Sequence, residues 1–264
     1  MTQSSRVLLA LLMLLGGALP AASQQRFDHA VFDALLHKHV VNGLVDYDGF
    51  ARAPEFAAYL RSFDAVDPAG LPEPERLAYW IDAYNAFTIQ LINGHHERAS
   101  IRNVNESLGL IKGHGPWREP IVKAGGKLYH LDNVEHDVIR KQFKEPRIHF
   151  ALVCAALGCP PLRSEAFTGA GLDAQLEDQA VLFLTRSPEK NRVDLERGIF
   201  RGSPIFVKYY REDFGGSDAA IMRYLARFYP AGPERELLAS GRARLEASDY
   251  DWTLNSQEQA RTRR

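Results

Sequence analysis

The chain has 264 residues, 45% hydrophobic and 25% charged, with a formal net charge of −1. That is the balance of an ordinary globular protein. A near-neutral balance gives no reason to expect the basic face that nucleic acids need, so no nucleic-acid partner is expected.

The first element is a leader. Arg6 precedes an unbroken apolar run from Val7 to Leu15, and Pro20, Ala21, Ala22 and Ser23 follow. A basic start, an apolar middle and small residues before a cut describe a secretory signal peptide over 1–23. The apolar run is well short of the ~20 residues that span a bilayer, and no later segment is apolar enough to do so. The mature chain is expected to begin at Gln24, to be periplasmic or secreted, and not to span a membrane. About 240 residues then remain, enough for one large or two small domains.

Phe27 to Val40 has apolar residues at helical spacing, and Asn42-Gly43 closes it. Pro54 opens a second short helix. Pro68, Pro72 and Pro74 mark a loop, with Pro74 suited to the first turn of the next helix. That helix, Glu75 to Asn93, is apolar almost all round and is expected to be buried at the centre of the fold. Ile121 to Leu131 reads as a hairpin turning on Gly125-Gly126. Asp132 with Glu135 resembles a capping box at the start of a helix that runs to Phe143. Arg147 to Val153 is a short apolar run, expected as a buried strand. Further helices are expected over Gly171–Ser187 and Ser217–Tyr229. Strand pieces are expected over Val193–Phe200 and Arg244–Leu254, with Tyr250 and Trp252 alternating on the last. Helices outnumber scattered strands, so the expected fold is α+β: one helix-rich domain over 24–255 with a small mixed or antiparallel sheet. Residues 256–264 read as a polar, flexible tail.

Four runs then stand out in order: YWIDAYNAFTI, LDNVEHDVIR, RIHFALVCAALGCPPL and YDWTLN. Together they resemble the family known as domain of unknown function 547, over roughly Phe27 to Asn255. The resemblance carries over to Trp80, Tyr84, Asn85, Glu135, His136, Arg140, His149, Cys154 and Pro160. Asp82 stands where the family's helix has its first Asn. The resemblance implies a motif set and a fold neighbourhood, but no reaction.

The residue chemistry suggests one. Cys154 opens a loop of small residues, and a thiol becomes a good nucleophile when a nearby base or cation lowers its pKa. Strand alternation over 147–153 would point His149 away from Cys154, so His136 is the expected base, with Asn85 or Glu135 orienting it. Trp80, Tyr84, Arg140 and His149 are expected as binding residues. Cys154 and Cys159 are the only cysteines, and an exported chain permits a disulfide between them. His130, His136, His149 and the two cysteines lack zinc-site spacing and the glycines match no phosphate-binding loop, so neither metal nor cofactor is expected. Two functions follow. One is a thiol-dependent hydrolase or acyl transferase. The other is a non-catalytic binding or assembly module, meeting a small molecule or a peptide or protein partner through Tyr209, Tyr210 and Phe214.

Overall fold

The computed structural model describes residues 26–104 and 115–262. The leader expected over 1–23 lies outside them.

Helix α1 (Ala30–His39) runs into a two-residue hairpin, β1 (Val40–Val41) and β2 (Leu44–Val45). Asn42 and Gly43 both have positive φ, 51° and 78°. These are the dihedrals a tight hairpin turn requires, so Asn-Gly reverses a strand rather than capping a helix. Two short helices follow, α2 (Tyr47–Arg52) and α3 (Pro54–Ser62).

Helix α4 (Glu73–Gly94) is the axis of the fold. Every residue from Leu77 to Ile89 is buried. Its polar groups are therefore paired inside the core. Tyr79 donates to the Phe63 carbonyl at 2.7 Å, Asn93 donates to the Tyr47 carbonyl at 2.9 Å, and Asp82 meets His29 Nδ1 at 2.9 Å.

The second hairpin, β3 (Val122–Ala124) with β4 (Lys127–Tyr129), is antiparallel and turns on Gly125 and Gly126 at φ 56° and 73°. After it comes a wide π-type helix, Asn133–Ile139, continued by the α-helical turn α5 (Arg140–Gln142). Asp132 does not cap it. Its carboxylate pairs with Arg118 Nε at 3.1 Å, and the Asn133 N–H donates to His130 Nδ1 at 3.0 Å. Glu135 is thus free of capping duty.

The segment expected as a strand, 147–153, is not one. Pro146–Phe150 forms a 3₁₀ helix, with the Glu145 carboxylate accepting from Arg147 N–H at 3.1 Å. The run is buried throughout, and burial on all sides makes a helical turn and a strand look alike in sequence.

Helix α6 (Leu172–Thr185) precedes a three-stranded mixed sheet. In it β6 (Ile199–Gly202) pairs antiparallel with β5 (Arg192–Asp194) and parallel with β7 (Arg244–Ala247). Between β6 and β7 lie a second π-type helix, Ile205–Tyr209, and helices α7 (Asp218–Ala226) and α8 (Pro233–Ser240). Residues 257–262, expected as a loose tail, form α9 (Gln257–Thr262), and Gln257 Nε2 donates to the His39 carbonyl at 3.1 Å.

The fold is α+β, with helices dominant and, among the described residues, three small sheets. The core has two parts. One surrounds α4, and the other lies among α6, α7 and β6. Ile148 belongs to the first and Phe150 to the second, so the 146–153 segment is the seam between them. Among the described residues, no helix is long and apolar enough to cross a membrane.

Candidate functional site

A cleft of about 400 Å³ opens beside that seam. Its walls combine acid–base groups (Asp132, Glu135, His136, His149), both cysteines, and aromatic rings from Trp117, Tyr209, Tyr210, Tyr250 and Trp252. Both π-type helices border it: Glu135 and His136 come from the first, Ile205 and Tyr209 from the second. Such wide turns recur at functional sites because they displace side chains from regular helical positions.

Asn85 sets the floor without entering the cleft. Its Nδ2 donates to the Ala151 carbonyl and its Oδ1 accepts from the Val153 N–H, each at 3.0 Å. Those backbone groups have no strand partner, and the amide supplies both missing bonds. Asn85 was expected to orient His136; its observed bonds go instead to the backbone just before Cys154, and it does not line the cleft with His136. Trp80 is also away from the cleft, packed edge-on against Tyr79 and Tyr129 with centroids 5.1 and 5.5 Å away. Tyr84 is buried on α4 and does line the cleft, and burial first, then the nearby Glu135 charge, raise its pKa.

The two histidines have partners that the sequence did not suggest. Arg140 Nη1 lies 3.0 Å from His136 Nδ1. A guanidinium can only donate, so Nδ1 accepts and a neutral His136 carries its proton on Nε2. His136 is a donor in this arrangement, not the free base expected of it. His149, expected to face away because of the strand, lines the cleft instead. Its Nε2 donates to Asp213 Oδ2 at 2.7 Å, and its ring stacks on Tyr210 with centroids 4.0 Å apart. Its Nδ1 stands 3.9 Å from Glu135 Oε1, outside hydrogen-bond range. A carboxylate on one nitrogen fixes the tautomer and leaves the other nitrogen as the proton acceptor. The histidine paired with a carboxylate is therefore His149, and its partner is Asp213.

Arg140 completes the cluster from outside the cleft. It pairs bidentately with Asp213, Nε–Oδ2 2.6 Å and Nη2–Oδ1 2.7 Å, and lies 5.1 Å from the Tyr210 ring centre. Burial alone would raise the Asp213 carboxyl. The hydrogen bonds from His149 and Arg140 outweigh it and hold Asp213 well below the ordinary carboxylate range. Tyr210 is pushed the other way, by burial and by Glu135, to whose carboxylate its hydroxyl donates. Shifts of opposite sign on groups that share a neighbour, here Arg140, beside a cleft mark candidate functional sites.

Cys154 and Cys159 are joined in a disulfide. In this oxidised form Cys154 is not the free nucleophile that its sequence context suggests. Cys154 is partly exposed, and Cys159 is buried at 1% exposure. Ala155 between them has φ 60°, an uncommon left-handed conformation for a residue other than glycine. The Tyr250 hydroxyl lies 3.1 Å from Cys154 Sγ and 3.2 Å from Cys159 Sγ. Disulfide sulfurs have no proton to give, so the hydroxyl donates. Gly158 permits this approach, since a Cβ there would fall 2.8 Å from the Tyr250 ring. Tyr250 and Trp252 do not alternate on a strand. They follow the end of β7 and both line the cleft, their rings 4.6 Å apart. Phe214, expected at a partner surface, is 3% exposed and packed in the second core.

Among the described residues, no group of three or more His, Cys, Asp or Glu side chains is gathered as a metal ion would require. Asp213 was not foreseen from the sequence. It sits 64 residues from His149 in a polar stretch with no motif, and only the fold brings it there.

The model of the family described as "Protein of unknown function, DUF547" matches residues 68–184. The chain resembles that family over this stretch, which carries α4, the π-helix of Glu135 and His136, the seam and both cysteines. It stops short of Asp213 and Tyr250. No curated protein and no solved structure matches the chain.

Proposed function

We propose that the cleft is the active site of an exported thiol-dependent hydrolase or acyl transferase. The observation that carries this reading is that His149, held by Asp213 at 2.7 Å, lines one cleft with Cys154. In the reduced protein the Cys154 sulfur attacks an acyl carbon, and its proton passes to His149 Nδ1. The leaving alcohol or amine takes that proton, and Cys154 is left as a thioester. Water or a second nucleophile then cleaves the thioester, losing its proton to the same nitrogen. His136, with its proton on Nε2, is the donor available to the developing oxyanion.

The test uses the reduced protein and p-nitrophenyl acetate. Mass mapping should find an acetyl group on Cys154, and His149→Ala should slow its appearance about a hundredfold, the usual size of a general-base contribution. Acetylation of the folded protein no faster than of the urea-unfolded chain would overturn the reading.

The aromatic walls favour a second reading, a binding module without catalysis, since Trp and Tyr rings at a cleft provide contact area for a ligand or peptide. Under it, acetylation stays at the unfolded rate in every variant.

Export rests on the leader. Protein recovered from outside the cytoplasm should begin at Gln24 on N-terminal sequencing. Soluble cytoplasmic material that retains Met1 would refute it.

A further inference from the structure

The cysteine pair has the asymmetry of a reacting disulfide rather than of a staple. The segment it closes is short, and a short loop gains little from cross-linking. Both cysteines line the cleft, but Cys154 is partly exposed and Cys159 is buried. Three groups surround the buried sulfur or its residue. The Cys154 backbone N–H points at Cys159 Sγ from 3.1 Å, the Tyr250 hydroxyl lies 3.2 Å away and is shared with Cys154 Sγ at 3.1 Å, and the Lys190 ammonium donates to the Cys159 carbonyl at 2.9 Å. A neutral disulfide sulfur is a weak acceptor and gains little from two donors. A thiolate gains a great deal from the same donors. The surroundings suit the state of Cys159 after the S–S bond has opened.

We infer that this disulfide is a thiol–disulfide exchange centre in which an incoming thiol attacks Cys154 and Cys159 departs. A thiolate RS⁻ forms a bond to Cys154 Sγ, the Sγ–Sγ bond breaks, and its electron pair leaves on Cys159 as a thiolate. A second thiolate then attacks the sulfur of R, forming RSSR and releasing the Cys154 thiolate. Overall, two thiols are oxidised to one disulfide and the protein pair is reduced by two electrons. The reactant is a small or peptide-borne thiol able to enter a cleft of about 400 Å³ walled by aromatic rings. The direction of attack follows from access, and its ease from the stabilised leaving group, because a lower leaving-group pKa speeds exchange. The inference rests on the sulfur geometry and is independent of the acyl chemistry proposed above.

The experiment treats oxidised, folded protein with millimolar glutathione, quenches with alkylating agent and maps the products by mass. The folded protein should be reduced at least as fast as the same protein unfolded in urea. A protected, purely structural disulfide would be reduced more slowly when folded, and that result overturns the inference. In Cys159→Ser, Cys154 should take up glutathione from its oxidised form, and in Cys154→Ser, Cys159 should take up at least about tenfold less, given its burial. Equal uptake would overturn the assigned direction. Tyr250→Phe removes one donor to the departing thiolate and should slow reduction about tenfold. An unchanged rate in a variant whose circular dichroism is native would remove the tyrosine from the mechanism. If that variant does not fold, the wild-type rate comparison still decides. Exchange is read on oxidised protein and acetylation on reduced protein, so loss of one with retention of the other shows which proposal has failed.

Discussion

Replacing Asn85 with leucine should destabilise the protein by about 2–6 kcal/mol, because it strands two buried backbone groups at about 1–3 kcal/mol each. The Val153 N–H and the Ala151 carbonyl are satisfied by this one amide and lie in the seam between the two halves of the core. Leucine suits a helix and an apolar site at least as well as asparagine does, so the loss can be assigned to the loop and not to α4. A urea titration should show a lower midpoint with an unchanged slope. The change should also reach Cys154, the residue next to Val153, by loosening the backbone that presents it to the cleft. A loss below about 1 kcal/mol would mean that the seam finds other partners, and that Asn85 is less central than its two bonds suggest.

Asp213→Ala should cost about 2–3 kcal/mol at neutral pH, toward the upper range for leaving buried donors unpaired, because it strands the His149 Nε2–H and half of the Arg140 guanidinium. The carboxylate is 23% exposed and Arg140 28%, so the full penalty of a deeply buried ion pair does not apply. The pH dependence has a definite sign. The Asp213 pKa is depressed in the folded protein, while the unfolded chain has an ordinary value of about 3.9. Its contribution is therefore fully present above about pH 4 and is lost as pH falls from there toward the folded value. Denaturation midpoints of wild type and variant, well apart at pH 7, should converge below pH 4. A gap that stays constant into strong acid would show that the charge of Asp213 is not what binds it to His149 and Arg140. Acetylation should separate catalysis from stability. Asp213→Asn keeps an acceptor for His149 but not the charge, so it should fold better than the alanine variant while still losing most of the rate that His149 provides.

Much of this protein was legible in the residues themselves. The near-continuous apolar run of α4 required a buried helix, because no exposed helix tolerates such a surface. Paired glycines at 125–126 required a turn, because their positive φ costs other residues more. Small residues and proline around Cys154 and Cys159 marked a loop where a disulfide could close, and the four runs that resemble the family pointed to Glu135, His136, His149 and Cys154. What the residues could not show was which of these meet, and through which atoms. The 147–153 run is apolar and short, and its burial between two core halves rather than in a sheet is a long-range fact. That one difference reversed the facing of His149. Asp213 entered the site from a stretch with no motif, because a hydrogen bond between residues far apart in the chain leaves no local periodicity. The roles of the two histidines were decided last, by which neighbour takes or gives a proton: Asp213 accepts from His149, Arg140 donates to His136, and only the tertiary structure places a carboxylate beside one and a guanidinium beside the other.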